Sequence, residues 1–205
     1  MSLRPLELLE VPTGRPVLDL LPRLAAAMSG GPALMPVPVG TAVAAATFDD
    51  ADDGRPTAIV MPTSGSTGQP KHTLLSVDAL RASSTATETR LGGPGAWLLA
   101  LPAWHIAGLQ VLLRAAAAGS PIAVLDTAQP FTATGFAESA STLLADPSAD
   151  RRYVSLVPTQ LHRILDSTLA TAVLADFDAV LVGGAAPSPD LVARAEAAGI
   201  RIVTT

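Results

Sequence analysis

Cysteine is absent from this chain of 205 residues. That excludes a disulfide framework, a thiolate metal site and a cysteine nucleophile, and it fits a reducing compartment. Aromatic residues make up only 3% of a chain that is 49% hydrophobic, so the core must be built from Ala, Val, Leu and Ile. Charge is sparse as well: 15% of residues carry one, with a net charge of −5. No basic patch points to nucleic acid, and the mild acidity suits a soluble cytoplasmic enzyme. No apolar run can span a bilayer, because the Ala-rich stretch 109–118 is interrupted by Gln110 and Arg114 and stops at Gly119. Residues 1–10 carry Glu7 and Glu10 among their apolar positions, unlike a signal peptide. The length allows one substantial core, or a large domain cut short.

Organisation divides near residue 56. The lead, 1–56, offers a short helix from Val17 through Met28 that ends at Ser29-Gly30-Gly31-Pro32. A proline-broken apolar run at 34–39 reads as an edge strand at best. The acidic stretch 49–54 lacks the alternation and terminal glutamate of a calcium loop and reads as a solvated linker. From 57 to 205, short apolar runs alternate with helical patterns. Strands are expected at 57–61, 96–101, 122–125, 153–157, 179–182 and 200–204, and helices at 77–91, 106–118, 132–144, 159–169 and 188–198. The pattern predicts an α/β fold, a mostly parallel sheet with helices on both faces.

Chemistry concentrates at the carboxyl ends of those strands, where such sheets bind ligands. After the first comes Thr63-Ser64-Gly65-Ser66-Thr67-Gly68-Gln69-Pro70-Lys71. Glycines let the backbone approach a polyphosphate, hydroxyls donate to its oxygens, and the lysine adds a mobile positive charge. The Gly-x-x-x-x-Gly-Lys-Ser/Thr loop of nucleotide triphosphatases is not this pattern. Counted from Gly65, its second glycine position holds Pro70, and His72 stands where its magnesium-holding hydroxyl belongs.

The run resembles the phosphate loop of the adenylate-forming superfamily, which takes in acyl-CoA synthetases, peptide-synthetase adenylation domains and luciferases. It departs from that pattern at His72, where glycine is usual and a hairpin follows. Leu101-Pro102-Ala103-Trp104-His105-Ile106-Ala107-Gly108-Leu109 resembles the family segment Leu-Pro-x-x-His-x-x-Gly-Leu. The resemblance implies that His105 lies near the acid-binding end of the pocket and helps orient substrate or gate entry; Trp104 reads as a packing residue rather than a base-stacking one. Val182-Gly183-Gly184-Ala185-Ala186-Pro187 is similar to the turn that lies against adenine and the acyl group, and Thr204-Thr205 directly precede the position of the family's Tyr-Gly-x-Thr-Glu segment.

Carried over residue by residue, the resemblance implies that Thr63, Ser64, Gly65, Ser66, Thr67, Gly68 and Lys71, with Gly183, Gly184, Ala185, Thr204 and Thr205, bind nucleotide. Lys71 and His105 take the catalytic roles, and Thr67 is the residue through which phosphate-bound magnesium is approached. ATP, magnesium and CoA are the implied cofactors and co-substrates, a small carboxylic acid the substrate, and a homodimer a possible assembly. The magnesium glutamate, the ribose aspartate and the lysine of the C-terminal lid fall beyond residue 205, so the chain reads as the N-terminal part of a longer ligase, inactive alone. The short lead, the segments 90–102 and 151–157, and Thr159-Gln160-Leu161 are similar to o-succinylbenzoate–CoA ligases of menaquinone biosynthesis. A ligase for another aryl or fatty acid and a non-catalytic nucleotide-binding fragment are the competing readings. His162 reads as a surface or packing residue, and Arg151 and Arg152 as at least one solvated charge.

Overall fold

The computed structural model describes residues 3–42, 47–49, 56–63 and 71–205. Its strands form two five-stranded sheets. The first contains β1 (Leu3–Val11), β2 (Ala33–Pro38), β3 (Thr47–Asp49), β4 (Thr57–Thr63) and β5 (Lys71–Ser76), in the order β3-β1-β2-β4-β5. The second contains β6 (Ala96–Leu99), β7 (Ile122–Val124), β8 (Arg152–Leu156), β9 (Ala179–Val182) and β10 (Ile202–Thr204), in the order β10-β9-β8-β6-β7, with every pairing parallel. The helices are α1 (Leu21–Met28), entered through a 3-10 turn at Arg15–Leu20, then α2 (Val77–Leu91), α3 (Ile106–Ala118), α4 (Ala133–Leu144), α5 (Pro158–Leu165), α6 (Thr168–Ala175) and α7 (Pro189–Ala197).

Three expectations change. The strand at 57 does not join the sheet of β6–β10; it pairs in parallel with β2 and in antiparallel register with β5. The run at 34–39 is no edge, since β2 lies between β1 and β4. Its prolines leave their mark: β2 pairs with β1 over six positions but with β4 only at Leu34↔Ile59, since Pro36 and Pro38 supply no N–H. The single helix expected at 159–169 is two, because the backbone turns at Asp166 and the Ser167 hydroxyl accepts from Ala170 N–H to start α6. Strands β1 and β2, from the lead, build the sheet that β4 joins.

Side-chain alternation places each helix. Trp97 and Leu99 of β6 turn toward a core shared with Leu24 of α1, Leu109 and Leu112 of α3, and Leu9, Leu34 and Ile59 of the first sheet. Leu98, Val154 and Val180 turn the other way, against Phe136, Leu161, Ile164, Leu174 and Leu191 of α4–α7. Helices α1 and α3 therefore fill the space between the sheets, while α4–α7 cover the outer face of the second. The chain leaves β6 through α3 on the inner face and leaves β8 through α5 on the outer face. Between these neighbouring strand ends a crevice opens, as it does wherever successive connections of a parallel sheet run in opposite directions.

Candidate functional site

A cavity of about 560 Å³ occupies that crevice. It is lined by Leu101, Pro102 and His105 after β6, by Ile106, Gln110 and Arg114 along α3, by Ser155 and Val157 at the end of β8, by Gly183 and Gly184 after β9, and by Thr205. Backbone bonds join these strand ends into one floor: Gly183 N–H donates to Leu156 O at 3.1 Å, and Thr205 N–H to Val182 O at 3.1 Å.

Glycines carry close approaches here, among them Gly183, where a Cβ would press on Thr205 Oγ1. A Cβ at Gly108 would stand 2.4 Å from the Pro102 carbonyl oxygen and 2.6 Å from that of Leu101. The first turn of α3 can rest on the Leu101–Pro102 backbone only without a side chain there, which sets His105 at the cavity mouth. Gly184 adopts φ +79°, and a Cβ on it would press on the Val157 methyl at 3.3 Å.

The helix starts here differ from those elsewhere. Ser76, Thr132, Ser167 and Ser188 cap α2, α4, α6 and α7 with their hydroxyls. His105 precedes α3 without a side-chain cap, and no acidic residue lies in the first turn. Its ring is exposed and stands 6.1 Å from Trp104, centroid to centroid. The N-terminal N–H groups of α3 and the positive end of its dipole thus face a space suited to an anion. Val157, before α5, has no side-chain oxygen; instead Gln160 reaches back, its Oε1 accepting from Val157 N–H at 3.1 Å while its Nε2 donates to Ala100 O at 2.9 Å. Gln160 therefore ties the end of β8 to the end of β6 across the crevice.

Arg114 supplies the charge. It is 6% exposed, and burial lowers its pKa to about 10 against the field of Glu88, which raises it. Its Nη2 donates to Gln110 Oε1, its guanidinium carbon lies 5.6 Å from the Trp97 ring centroid, and its Nε is buried without a hydrogen-bond partner. Among the described residues no carboxylate lies within ion-pair distance of it.

His105, Gly183, Gly184 and Thr205 share this cavity. Ala185 and Thr204 line an adjoining one of about 590 Å³, which Thr205 also borders. Ser64, Gly65, Ser66, Thr67 and Gly68 lie outside the described residues, while Thr63 and Lys71 are paired backbone positions of β4 and β5. Among the described residues no His, Cys, Asp or Glu cluster fits a metal ion. No helix among them is long and apolar enough to cross a membrane. His162 is a surface residue that meets Asp166 at 3.0 Å, and Trp104 packs half-buried against the inner core. The sequence reading passed over Arg114 and Gln110 as interruptions of an apolar run. Their signal is spacing: Ile106, Gln110 and Arg114 stand at i, i+4 and i+8, on one stripe of α3.

Comparison with known proteins gives a consistent answer. A probable 2-succinylbenzoate–CoA ligase of Mycobacterium tuberculosis is 45% identical over 202 residues, which take in 96% of this chain and 51% of the relative. The chain thus spans about half the length of that relative. The structure of an Escherichia coli MenE variant with bound OSB-AMS superposes with a TM-score of 0.56 at 26% identity, over 83% of this chain and 34% of that one. The N-terminal subdomain of Klebsiella oxytoca NpsA shares the fold, with a TM-score of 0.75 at 16% identity, over 100% of this chain and 62% of that one. The family model of the AMP-binding enzymes matches residues 13–205, and the chain belongs to that family.

Proposed function

We propose that this chain forms the acid- and nucleotide-binding part of an AMP-forming ligase that joins 2-succinylbenzoate to coenzyme A. The observation that carries the reading is Arg114, a buried cation with no carboxylate partner among the described residues, in the cavity that also holds His105, Gly183, Gly184 and Thr205. A buried charge left uncompensated is costly unless a ligand completes it. A fatty acid, with one carboxylate and an apolar tail, would use that carboxylate in the reaction and leave Arg114 unpaired. A diacid has one group to activate and a second to pair with the guanidinium.

In the first half-reaction a substrate carboxylate oxygen attacks the α-phosphorus of ATP, and pyrophosphate leaves. In the second, the CoA sulfur attacks the acyl carbon and AMP leaves. The uncapped start of α3 and His105 favour a carboxylate held at the cavity mouth. The pair Gly183–Gly184 suits close approach by a flat base. The 63–71 loop, with Lys71, Ser66 and Thr67, is assigned to the β- and γ-phosphates, where charge builds as pyrophosphate departs. ATP arrives with its magnesium.

Pyrophosphate release by the full-length protein tests the reading, with 2-succinylbenzoate, benzoate and octanoate as acids. Preference for the diacid by at least about tenfold in kcat/KM, the worth of one charge-assisted hydrogen bond, is the expected result. Equal or faster turnover of octanoate overturns it.

A further inference from the structure

Gln110 stands one turn before Arg114 on α3 and lines the same cavity. Its Oε1 accepts from Arg114 Nη2, and its Nε2 donates to Ser83 Oγ on α2 at 3.2 Å. The arginine settles which way the amide points, since a guanidinium only donates and so takes the oxygen, leaving the NH₂ end for the Ser83 hydroxyl. Gln110 Oε1 is the one hydrogen-bond acceptor that the Arg114 guanidinium reaches among the described residues. A carboxylate at that spot would orient the guanidinium equally well, but it would also neutralise it. A neutral amide orients without cancelling the charge. The field of Glu88 reaches Arg114 without forming an ion pair, so the cavity keeps a net cationic wall.

We propose that Gln110 is a specificity-determining positioning residue: held by Ser83, its amide fixes the Arg114 guanidinium in the cavity and leaves its charge free for the second carboxylate of a diacid substrate. The inference rests on the reading that Arg114 receives a substrate carboxylate. It adds that selectivity is set by the neutrality of the residue beside the arginine as well as by the arginine itself. Gln110→Glu would build an internal competitor within reach of Arg114, while Gln110→Met would remove the orienting acceptor and add no charge.

The test is calorimetric binding to the full-length protein and its Gln110→Glu, Gln110→Met and Arg114→Met variants. The probes are 2-succinylbenzoate and two monoacids, 3-benzoylpropionate and 2-butanoylbenzoate, each lacking one of its carboxylates. Selectivity is the affinity for the diacid over that for the better monoacid. Gln110→Glu should lower selectivity about tenfold or more, as expected for loss of one charge-assisted contact, and should weaken most the acids that keep the carboxylate paired with Arg114. Gln110→Met should lower it by a smaller factor. If selectivity survives Arg114→Met, the reading of the arginine fails. If it is lost in Arg114→Met yet survives in Gln110→Glu, the arginine reading stands and the Gln110 proposal is overturned. If Gln110→Glu weakens all three acids alike, Gln110→Met decides, and unchanged selectivity there overturns the proposal.

Discussion

Arg114 costs the fold something that its site uses. Its pKa, lowered by burial to about 10, means that the folded chain gives up this proton more readily than the unfolded chain does. The arginine therefore opposes folding at neutral pH, and the opposition fades as pH rises above about 10 toward the ordinary arginine range. Arg114→Met keeps much of the volume and removes the desolvated charge, at the cost of the contact with Trp97. We expect a net gain of about 1 kcal/mol, read as a melting temperature roughly 2–4 °C higher without ligand, together with loss of preference for the diacid. A lower melting temperature with diacid preference intact would contradict both halves. The glycines separate in the same way. At Gly108 an added methyl meets two backbone carbonyls, so Gly108→Ala should cost about 1–3 kcal/mol and melt several degrees lower. At Gly183 it meets Thr205 Oγ1, a side-chain end that can rotate, so Gly183→Ala should melt within about 2 °C of the parent. Equal losses in thermal denaturation would show that the carbonyl contact at Gly108 does not set its need for glycine.

Elements were legible where their ends carry punctuation. The bounds read from sequence for the helices at 77–91 and 106–118 coincide with α2 and α3, since Ser76 opens the one and the left-handed Gly92 and Gly119 close them. β1 escaped the reading because Glu7 and Glu10 interrupt its apolar pattern. In the fold Glu7 meets Arg23 at 2.9 Å and Glu10 accepts from Gly40 N–H at 3.0 Å, long-range partners that local pattern cannot show. The break between α5 and α6 was hidden for a related reason, since Leu165 and Leu169 continue a helical spacing across Asp166 and Ser167. Gln160 belongs to this scale, as it holds two strand ends together from the start of α5. Gln160→Leu leaves Val157 N–H and Ala100 C=O without their partner, and we expect a loss of about 1–3 kcal/mol in denaturant unfolding. Gln160→Glu keeps the acceptor for Val157 N–H and should lose less than the leucine variant. An unperturbed Gln160→Leu would mean that the clamp contributes nothing to holding β6 and β8 in place.

At the scale of the molecule, the sequence announced alternating strands and helices but not their division into two sheets. Local pattern could not separate them, because β4 is as apolar as β6 and the intervening α2 reads as an ordinary crossover. In the fold α2 packs against β5 and α3 and carries the chain from one sheet to the other. What the sequence did announce is that its informative turns follow strand ends, and those after β6, β8, β9 and β10 meet in one crevice. For the remaining turn, Lys71→Ala in the full-length protein should slow pyrophosphate release roughly ten- to 150-fold, the worth of one charge-assisted contact. Unchanged release would detach that loop from the reaction.

The most direct measurement is an amide NMR titration of this chain with a sulfamoyl-adenosine analogue of 2-succinylbenzoyl-adenylate. The backbone amides of Ile106, Ala107, Gly183, Gly184 and Thr205 should shift together and saturate, along with the Arg114 Nε–H signal. Saturable binding that leaves these signals unmoved, or no saturable shift at all, would contradict the assignment of this crevice as the acyl-adenylate site.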